Sequence, residues 1–121
     1  MLTTGVDIVE IERVERALAR RGERFLKRVY TTAEIALYRD RVSELAARFA
    51  AKEATMKALG TGTRGIGWRE IEILPNRRGK PLIFLHGRAK ERARVLGIGE
   101  LAVSLSHSKE FAVASVVGGP G

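Results

Sequence analysis

The sequence predicts an α+β fold in which an antiparallel sheet of hairpins packs on a long central helix. The order of elements along the chain carries this prediction: one strand, three or four helices, a hairpin, another helix and a second hairpin. The strongest helical segment covers residues 43–62, where Ala, Leu, Lys, Glu and Met dominate and lose little conformational freedom. Its many alanines indicate that other elements pack closely on more than one side of this helix.

Length and composition limit what kind of protein this is. The 121 residues suit one domain, which we expect to span 1–117, with a Gly/Pro-rich tail at 118–121. The absence of cysteine excludes disulfides and thiolate metal sites and fits a cytoplasmic protein. No signal peptide and no apolar run near the ~20 residues of a membrane span are present. The net charge of +8 favours an anionic partner.

The N-terminal segment is expected to form a strand followed by a basic helix. Residues 2–9 alternate in polarity, and Asp7 faces away from its apolar neighbours Val6 and Ile8. By position, Asp7 either caps the next helix or has a functional role. Residues 10–21 have helical spacing, and their outer face carries Arg13, Arg16, Arg20 and Arg21. That face is either solvated or a docking surface for an acidic partner.

Capping signals define the helices that follow. Gly22 breaks the first helix, and Phe25 to Val29 indicate a short second one. Thr31 with Glu34 forms a capping box that opens a third helix. The central helix is expected to begin with Ser43 as its N-cap and to end at Gly60, a left-handed C′ residue.

One stripe of the central helix contains candidate functional residues. Phe49, Glu53 and Lys57 recur every four residues and therefore lie along one side. Glu53 and Lys57 alone could be an ordinary ion pair, worth about 0.2–0.5 kcal/mol. The alternative is a functional carboxylate and amine held side by side on a rigid element.

The second half of the chain alternates between loops and hairpins. The glycines at 62–67 either allow a ligand to approach the backbone or form a flexible loop. Residues 68–74 and 82–85 are expected to form a hairpin with a basic tip that includes Lys80 and Pro81. After a helix from Arg88 to Leu96, a second hairpin turns beside His107, which is either an exposed turn residue or part of a site.

Two carboxylates, Asp7 and Glu53, are candidates for a shared metal site. If the first strand packs on the central helix, they could bind one hard cation. Mg²⁺ prefers one or two carboxylates together with waters and substrate phosphates. Lys57, Arg48, Lys52 and the basic hairpin tip would hold further phosphate charge.

Several motifs in order resemble a known family. These are Gly5-Val6-Asp7-Ile8-Val9, Arg48-Phe49-Ala50-Ala51-Lys52-Glu53-Ala54 with Lys57-Ala58-Leu59-Gly60, Gly79-Lys80-Pro81 and Ser104-Leu105-Ser106-His107. Together they resemble the small-type 4′-phosphopantetheinyl transferases, the bacterial holo-acyl-carrier-protein synthase family. The resemblance extends from about residue 2 to 117, with Ala47 standing where many relatives have glycine.

The resemblance implies a reaction of fatty acid biosynthesis. Such enzymes move phosphopantetheine from coenzyme A to a serine of acyl carrier protein and release adenosine 3′,5′-bisphosphate. It implies that Asp7 and Glu53 bind Mg²⁺ and that Lys57 lies at the scissile phosphate. It also implies homotrimers with active sites between subunits. Further residues implied to contact coenzyme A are Arg48, Gly60, Lys80, Pro81 and His107.

The same resemblance implies that Arg13 belongs to the helix that docks the acidic carrier protein. We extend this docking role to Arg16, Arg20 and Arg21. Glu53 is the candidate general base, and the sequence does not choose it over Asp7. Two other hypotheses stand beside the transferase. One is a small basic nucleic-acid-binding module, motivated by the charge alone, although no nucleic-acid-binding motif is present. The other is a carrier-binding subunit without activity.

Overall fold

The computed structural model describes all 121 residues and contains five strands and five α-helices. In chain order these are β1 (Thr3–Glu10), α1 (Ile11–Arg21), α2 (Glu23–Val29), α3 (Thr32–Tyr38), α4 (Val42–Leu59), β2 (Ile71–Pro75), β3 (Pro81–Leu85), α5 (Gly87–Leu96), β4 (Glu100–His107) and β5 (Phe111–Gly119). The α+β class is confirmed. No helix combines the length and apolar character that crossing a bilayer requires.

The strands form two antiparallel sheets rather than one. β1, β5 and β4 pair in that order, whereas β2 and β3 form a separate ribbon. The predicted strand at 68–74 begins three residues late, because Trp68–Glu70 form a 3₁₀ turn. The expected tail at 118–121 is also shorter, since Gly118 and Gly119 belong to β5 and pair with neighbouring strands.

The core is organised around α4, which packs between the three-stranded sheet and the surrounding helices. From Leu45 to Leu59, only Phe49, Glu53 and Lys57 are not buried, so the stripe predicted from the sequence is the helix's one open side. Gly60 has the left-handed conformation expected of a C′ residue, with a φ of 72°.

The beginning of α4 differs from the sequence prediction. The helix starts at Val42 after Arg41, so Ser43 lies in the first turn and caps nothing. The capping box of α3 is confirmed: the Thr31 hydroxyl accepts from the Glu34 amide, and the Glu34 carboxylate accepts from the Thr31 amide.

A close approach between β1 and α4 determines where Asp7 lies. A Cβ added at Gly5 would be 2.0 Å from the Ala54 carbonyl oxygen, so only glycine allows this spacing. The Thr3 hydroxyl donates to the Ala58 carbonyl over 2.8 Å and fixes the register of the strand on the helix. Asp7, two residues after Gly5, therefore faces the open stripe of α4.

A buried ion pair joins α4 to α3 and to the ribbon. Lys52 Nζ donates to Glu34 Oε1 over 2.8 Å, to the Trp68 carbonyl over 3.1 Å and to the Ile71 carbonyl. Glu34 also accepts from the Ile73 amide over 2.8 Å. Both side chains are fully buried, and burial lowers the pKa of Lys52 although Glu34 opposes the shift.

Candidate active site

The structure brings Asp7, Glu53 and Lys57 together on the open side of α4. Lys57 Nζ donates to the Val6 carbonyl over 2.9 Å and lies 3.2 Å from Asp7 Oδ1. The partner of Lys57 is therefore Asp7, and the i,i+4 ion pair with Glu53 is not formed. Asp7 also makes no capping bond to α1, which begins after Glu10 without a side-chain cap.

Glu53 lies in an environment that opposes its ionisation. Partial burial raises its pKa, and repulsion from the nearby Asp7 carboxylate raises it further. Arg13 and Lys57 lower it but do not cancel the shift. Two carboxylates this close repel each other when both are ionised, and a bound cation or a proton removes that repulsion.

These residues fit a hard divalent cation. The donor set is two carboxylates, with no His or Cys, and no cluster of three metal-ligating side chains exists in the chain. Two carboxylates suit Mg²⁺ when the remaining positions are filled by water and phosphate oxygens. The mutual repulsion of Asp7 and Glu53 is the feature that such a cation would relieve.

Beside this pair lies an apolar groove of about 550 Å³ with arginines at its rim. Phe49 stacks on Trp68 with ring centroids 4.9 Å apart, and Phe25 lies 6.5 Å from Phe49 on the other side. The arginines that line it are Arg13, Arg21, Arg24 and Arg28. Arg13 lines the groove and also lowers the pKa of Glu53, so this arginine is a neighbour of both the groove and the carboxylate pair.

The four arginines predicted on α1 separate into two groups. Arg13 and Arg21 line the groove, whereas Arg16 and Arg20 are exposed outside it. Arg16 is paired with Glu12 over 3.2 Å. The sequence interpretation missed Arg24 and Arg28 because it treated α2 only as a short apolar turn.

Arg48 lies away from the Asp7 cluster, and its contact with coenzyme A stays a prediction. Its guanidinium is buried, donates to Glu44 Oε1 and to the Tyr38 hydroxyl at 2.9 Å each, and stacks over the Tyr38 ring. It is nine residues before Lys57, about 13 Å along the helix at 1.5 Å per residue. Within this chain, Arg48 holds α3 and α4 together and is not part of the Asp7 cluster.

The predicted residues of the hairpins also lie away from that cluster. Lys80 is exposed at the tip of the β2–β3 ribbon, with Pro81 beside it. His107 ends β4 and is exposed beside the turn, as expected. Within one chain, the structure does not join these residues to Asp7, and their contact with coenzyme A stays a prediction.

The glycine-rich loop directly follows Lys57 and Gly60. Its middle, from Gly62 to Gly65, is exposed, and Gly60, Gly62 and Gly65 all have positive φ angles. Both ends of the loop are held by contacts that the sequence interpretation missed: the Leu59 carbonyl accepts from Arg92, 33 residues away, and the Gly67 amide donates to Glu70, three residues on.

Comparison with known proteins identifies the relatives of this chain. A family model described as the 4′-phosphopantetheinyl transferase superfamily matches residues 3–114. A holo-[acyl-carrier-protein] synthase of Herpetosiphon aurantiacus is 54% identical over 125 residues, covering 98% of each chain. The protein of the same name from Dehalococcoides mccartyi is 50% identical over 117 residues, covering 97% of this chain and 98% of its own.

Solved structures agree with this relationship. The Helicobacter pylori holo-[acyl-carrier-protein] synthase in complex with coenzyme A has a TM-score of 0.87 and 38% identity, covering 96% of this chain and 99% of its own. The Neisseria meningitidis enzyme has a TM-score of 0.89 and 35% identity over 97% of both chains.

Proposed function

The chain belongs to the 4′-phosphopantetheinyl transferase superfamily, among the holo-[acyl-carrier-protein] synthases, and from this premise we propose a Mg²⁺-dependent transfer of 4′-phosphopantetheine from coenzyme A to apo acyl carrier protein. The observation that carries the proposal is the meeting of Asp7, Glu53 and Lys57 on the one open stripe of a buried helix. Such a site supplies charge and positioning, which phosphoryl transfer needs more than covalent catalysis.

In the reaction, a serine oxygen of the carrier attacks the pantetheine-bearing phosphorus of the coenzyme A diphosphate. A new P–O bond forms to the serine, and the bond to the bridging oxygen breaks. Adenosine 3′,5′-bisphosphate leaves with the bonding electrons. Lys57 retains one N–H beyond those directed at Val6 and Asp7, and this donor can contact the phosphoryl oxygens.

Asp7 and Glu53 are the residues that would hold Mg²⁺. When bound, the ion supplies charge neutralisation at the diphosphate and at the leaving oxygen. The serine proton must also be removed, and Glu53, half-buried on the open stripe of α4, is our candidate for the general base. Asp7 remains the alternative base, since both carboxylates lie at the same point.

The groove provides the docking surface for the carrier protein. An acidic helix can pair with Arg13, Arg21, Arg24 and Arg28 at the rim while an apolar side chain packs against the aromatic rings. The pairing of opposite charges would raise the association rate and set the orientation. Since Arg13 is near both the groove and Glu53, a helix docked in the groove would bring its serine toward the carboxylate pair.

A homotrimer is the assembly we propose. The outer face of the β1–β5–β4 sheet exposes a band of apolar side chains: Val6, Ile8, Phe111 and Val117. Exposed apolar side chains grouped on one face often mark an interface with another chain. Copies of this chain would cover the band, and a neighbour's hairpin residues, including His107, would then complete the coenzyme A site.

A mass measurement tests the reaction. The protein is mixed with coenzyme A, apo carrier protein and Mg²⁺, and the carrier is weighed by mass spectrometry. We expect the mass of one phosphopantetheine to be added to the carrier and adenosine 3′,5′-bisphosphate to accumulate. No mass gain, with a known synthase active alongside, would exclude the function. Omitting Mg²⁺ in the presence of a chelator tests the metal separately.

The docking surface is tested by charge reversal. Arg21→Glu should raise the KM for the carrier about tenfold and weaken the salt dependence, because a rim charge mainly governs association. Arg20→Glu is the matched control, being adjacent in sequence but outside the groove. Equal effects of the two substitutions would argue for a general charge effect and against this groove.

The assembly is tested by light scattering and complementation. The trimer predicts three chain masses in solution and a loss of that state in Phe111→Asp. If sites are shared, co-expression of Asp7→Asn with His107→Ala chains should restore activity that neither variant has alone. A monomeric, fully active protein would refute the shared site.

A further inference from the structure

One face of α5 contacts both ends of the glycine-rich loop, residues 60–67. Arg88 and Arg92 are four positions apart on α5 and therefore project from the same side of the helix. Arg92 reaches the start of the loop directly, and Arg88 reaches its end through Glu70. A single helix therefore spans the loop from one base to the other.

At the start of the loop, Arg92 completes the C-terminus of α4. Helix ends normally leave their last four carbonyls without partners. Here each of the four accepts a hydrogen bond: Met56 from the Thr61 amide at 3.1 Å, Lys57 from the Gly60 amide at 3.0 Å, Ala58 from the Thr3 hydroxyl at 2.8 Å and Leu59 from Arg92 Nε at 3.1 Å. The start of the loop, three residues after Lys57, is thus fixed by hydrogen bonds from Arg92 of α5 and Thr3 of β1.

At the end of the loop, Glu70 forms a joint between the loop and α5. Its Oε1 accepts from the Gly67 amide at 2.6 Å and from Arg88 Nη2 at 2.9 Å. Its Oε2 accepts from the Arg88 backbone amide. A Cβ at Gly87 would lie 2.6 Å from this same oxygen, so the joint depends on glycine there.

Between these two ends, the loop presents its backbone to solvent. None of the amides of residues 62–66 donates to an acceptor within the chain. Gly62 and Gly65 have φ angles of 58° and 76°, a left-handed backbone conformation that glycine adopts without strain. Turns of this kind form concave sites for anions, and Lys57 lies at the same end of α4.

We propose that Arg92, Arg88 and Glu70 are positioning residues that hold this loop in shape as a cradle for the phosphates of coenzyme A. The inference rests on the proposed function and extends it to α5, which lies behind the loop rather than in the site. Glu70 and Arg88 act through the Gly67 amide, and Arg92 acts through the Leu59 carbonyl.

Glu70 separates positioning from simple electrostatics. Replacing it with glutamine removes a negative charge near an anion site. If only electrostatics mattered, the loss of this repulsion would tighten the binding of a phosphate ligand. Positioning predicts the opposite result, because the amide of glutamine cannot accept at both of the oxygens that now receive hydrogen bonds from Gly67 and Arg88.

The experiment measures binding of adenosine 3′,5′-bisphosphate by titration calorimetry with Mg²⁺ present, for wild type, Arg92→Leu, Glu70→Gln and Arg94→Leu. Arg94→Leu is the matched control, since it removes the same charge from α5 but Arg94 is paired only with Glu91. We expect Arg92→Leu and Glu70→Gln to weaken binding about five- to tenfold, the effect of one or two lost hydrogen bonds. The KM for coenzyme A should rise equally, with kcat and the carrier's KM unchanged.

A merely structural role would give a different pattern. Loss of stability lowers the folded fraction, which appears in the binding stoichiometry and the apparent kcat but not in the dissociation constant. An unchanged constant in Arg92→Leu, or an unchanged or tighter one in Glu70→Gln, would overturn the inference. Failure of the wild-type protein to bind the bisphosphate would instead overturn the proposed function, and this inference with it.

Discussion

Two lysine–carboxylate groups lie five residues apart on α4, and they differ in almost every physical respect. Lys52 and Glu34 are fully buried, and each N–H and each oxygen has a partner. Lys57 is 56% exposed and pairs with Asp7, whose carboxylate lies near that of Glu53 and repels it. In the first group every charged atom has a hydrogen-bond partner, whereas in the second group two carboxylates repel each other.

The difference indicates which group is available for chemistry. Burying an ion pair costs several kcal/mol per charge, and only complete hydrogen bonding offsets this. The Lys52 group meets that condition and joins α3, α4 and β2. The Asp7 group leaves two carboxylates in mutual repulsion at a solvent-accessible point, a state that a bound cation would relieve.

The largest expected effect concerns the unbalanced carboxylates. Asp7→Asn and Glu53→Gln should each lower kcat/KM by about a thousandfold, because several kcal/mol of charge stabilisation are lost at the transition state. Stability should stay constant or increase, since each change removes repulsion. Transfer rates and urea unfolding measure the two outcomes, with Glu12→Gln, an exposed carboxylate of α1, as control. Activity near that of wild type would contradict the metal role.

The two lysines give the sharpest test of the comparison. Lys52→Met should lower the free energy of unfolding by about 3–5 kcal/mol, because it leaves the Glu34 carboxylate buried without its cation. Lys57→Met, on the same helix but exposed, should change stability by less than about 1 kcal/mol while transfer is largely lost. Urea titrations and rates on folded protein measure both. Equal destabilisation by the two changes would break the comparison.

A smaller loss of stability is expected at Gly5. Gly5→Ala should cost about 1–3 kcal/mol, because its Cβ would collide with the Ala54 carbonyl and push β1 from α4. Activity should fall further than the folded fraction does, since Asp7 moves with the strand. Thr4→Ala, at an exposed neighbouring position, serves as the reference; a Gly5→Ala protein with full activity would show that the spacing is not needed.

The two regions should also respond to acid with opposite signs. Burial alone would raise the pKa of Glu72, but hydrogen bonding to Thr31 and His86 lowers it below 4.5. Its stabilisation is therefore present above pH 4.5 and lost as the pH falls through the lower folded value. The pKa of Glu53 is raised, so in metal-free protein its protonation favours the folded state. Urea midpoints between neutral and acid pH should fall less in Glu72→Gln and more in Glu53→Gln than in wild type.

Local signals in the sequence were sufficient for most of the fold. The capping box at Thr31 and the left-handed Gly60 act within a few residues, so their prediction needs no tertiary information. The start of α4 was predicted wrongly. Serine favours the N-cap position, but this helix begins at Val42, one residue before Ser43, so the Ser43 side chain lies inside the first turn. The division into two sheets depends on long-range pairing, which alternation of polarity does not specify.

The site was partly predictable for the same reason. The spacing of Glu53 and Lys57 is fixed by the helical repeat, whereas their encounter with Asp7 depends on how closely β1 packs at Gly5. The placement of Arg48 could not be read from its motif, because its partner Tyr38 belongs to a different helix. Contacts between residues far apart in the chain, such as Arg92 with Leu59 and Arg88 with Glu70, leave no local pattern in the sequence.

Trp68 is the chain's only tryptophan, and it lies against Phe49 in the wall of the groove. An indole in that position reports the polarity of its surroundings through its emission wavelength. Seating of a carrier helix would exclude water from the ring, so encounter and release could be followed by stopped-flow fluorescence on unlabelled protein. The groove thus contains its own optical probe.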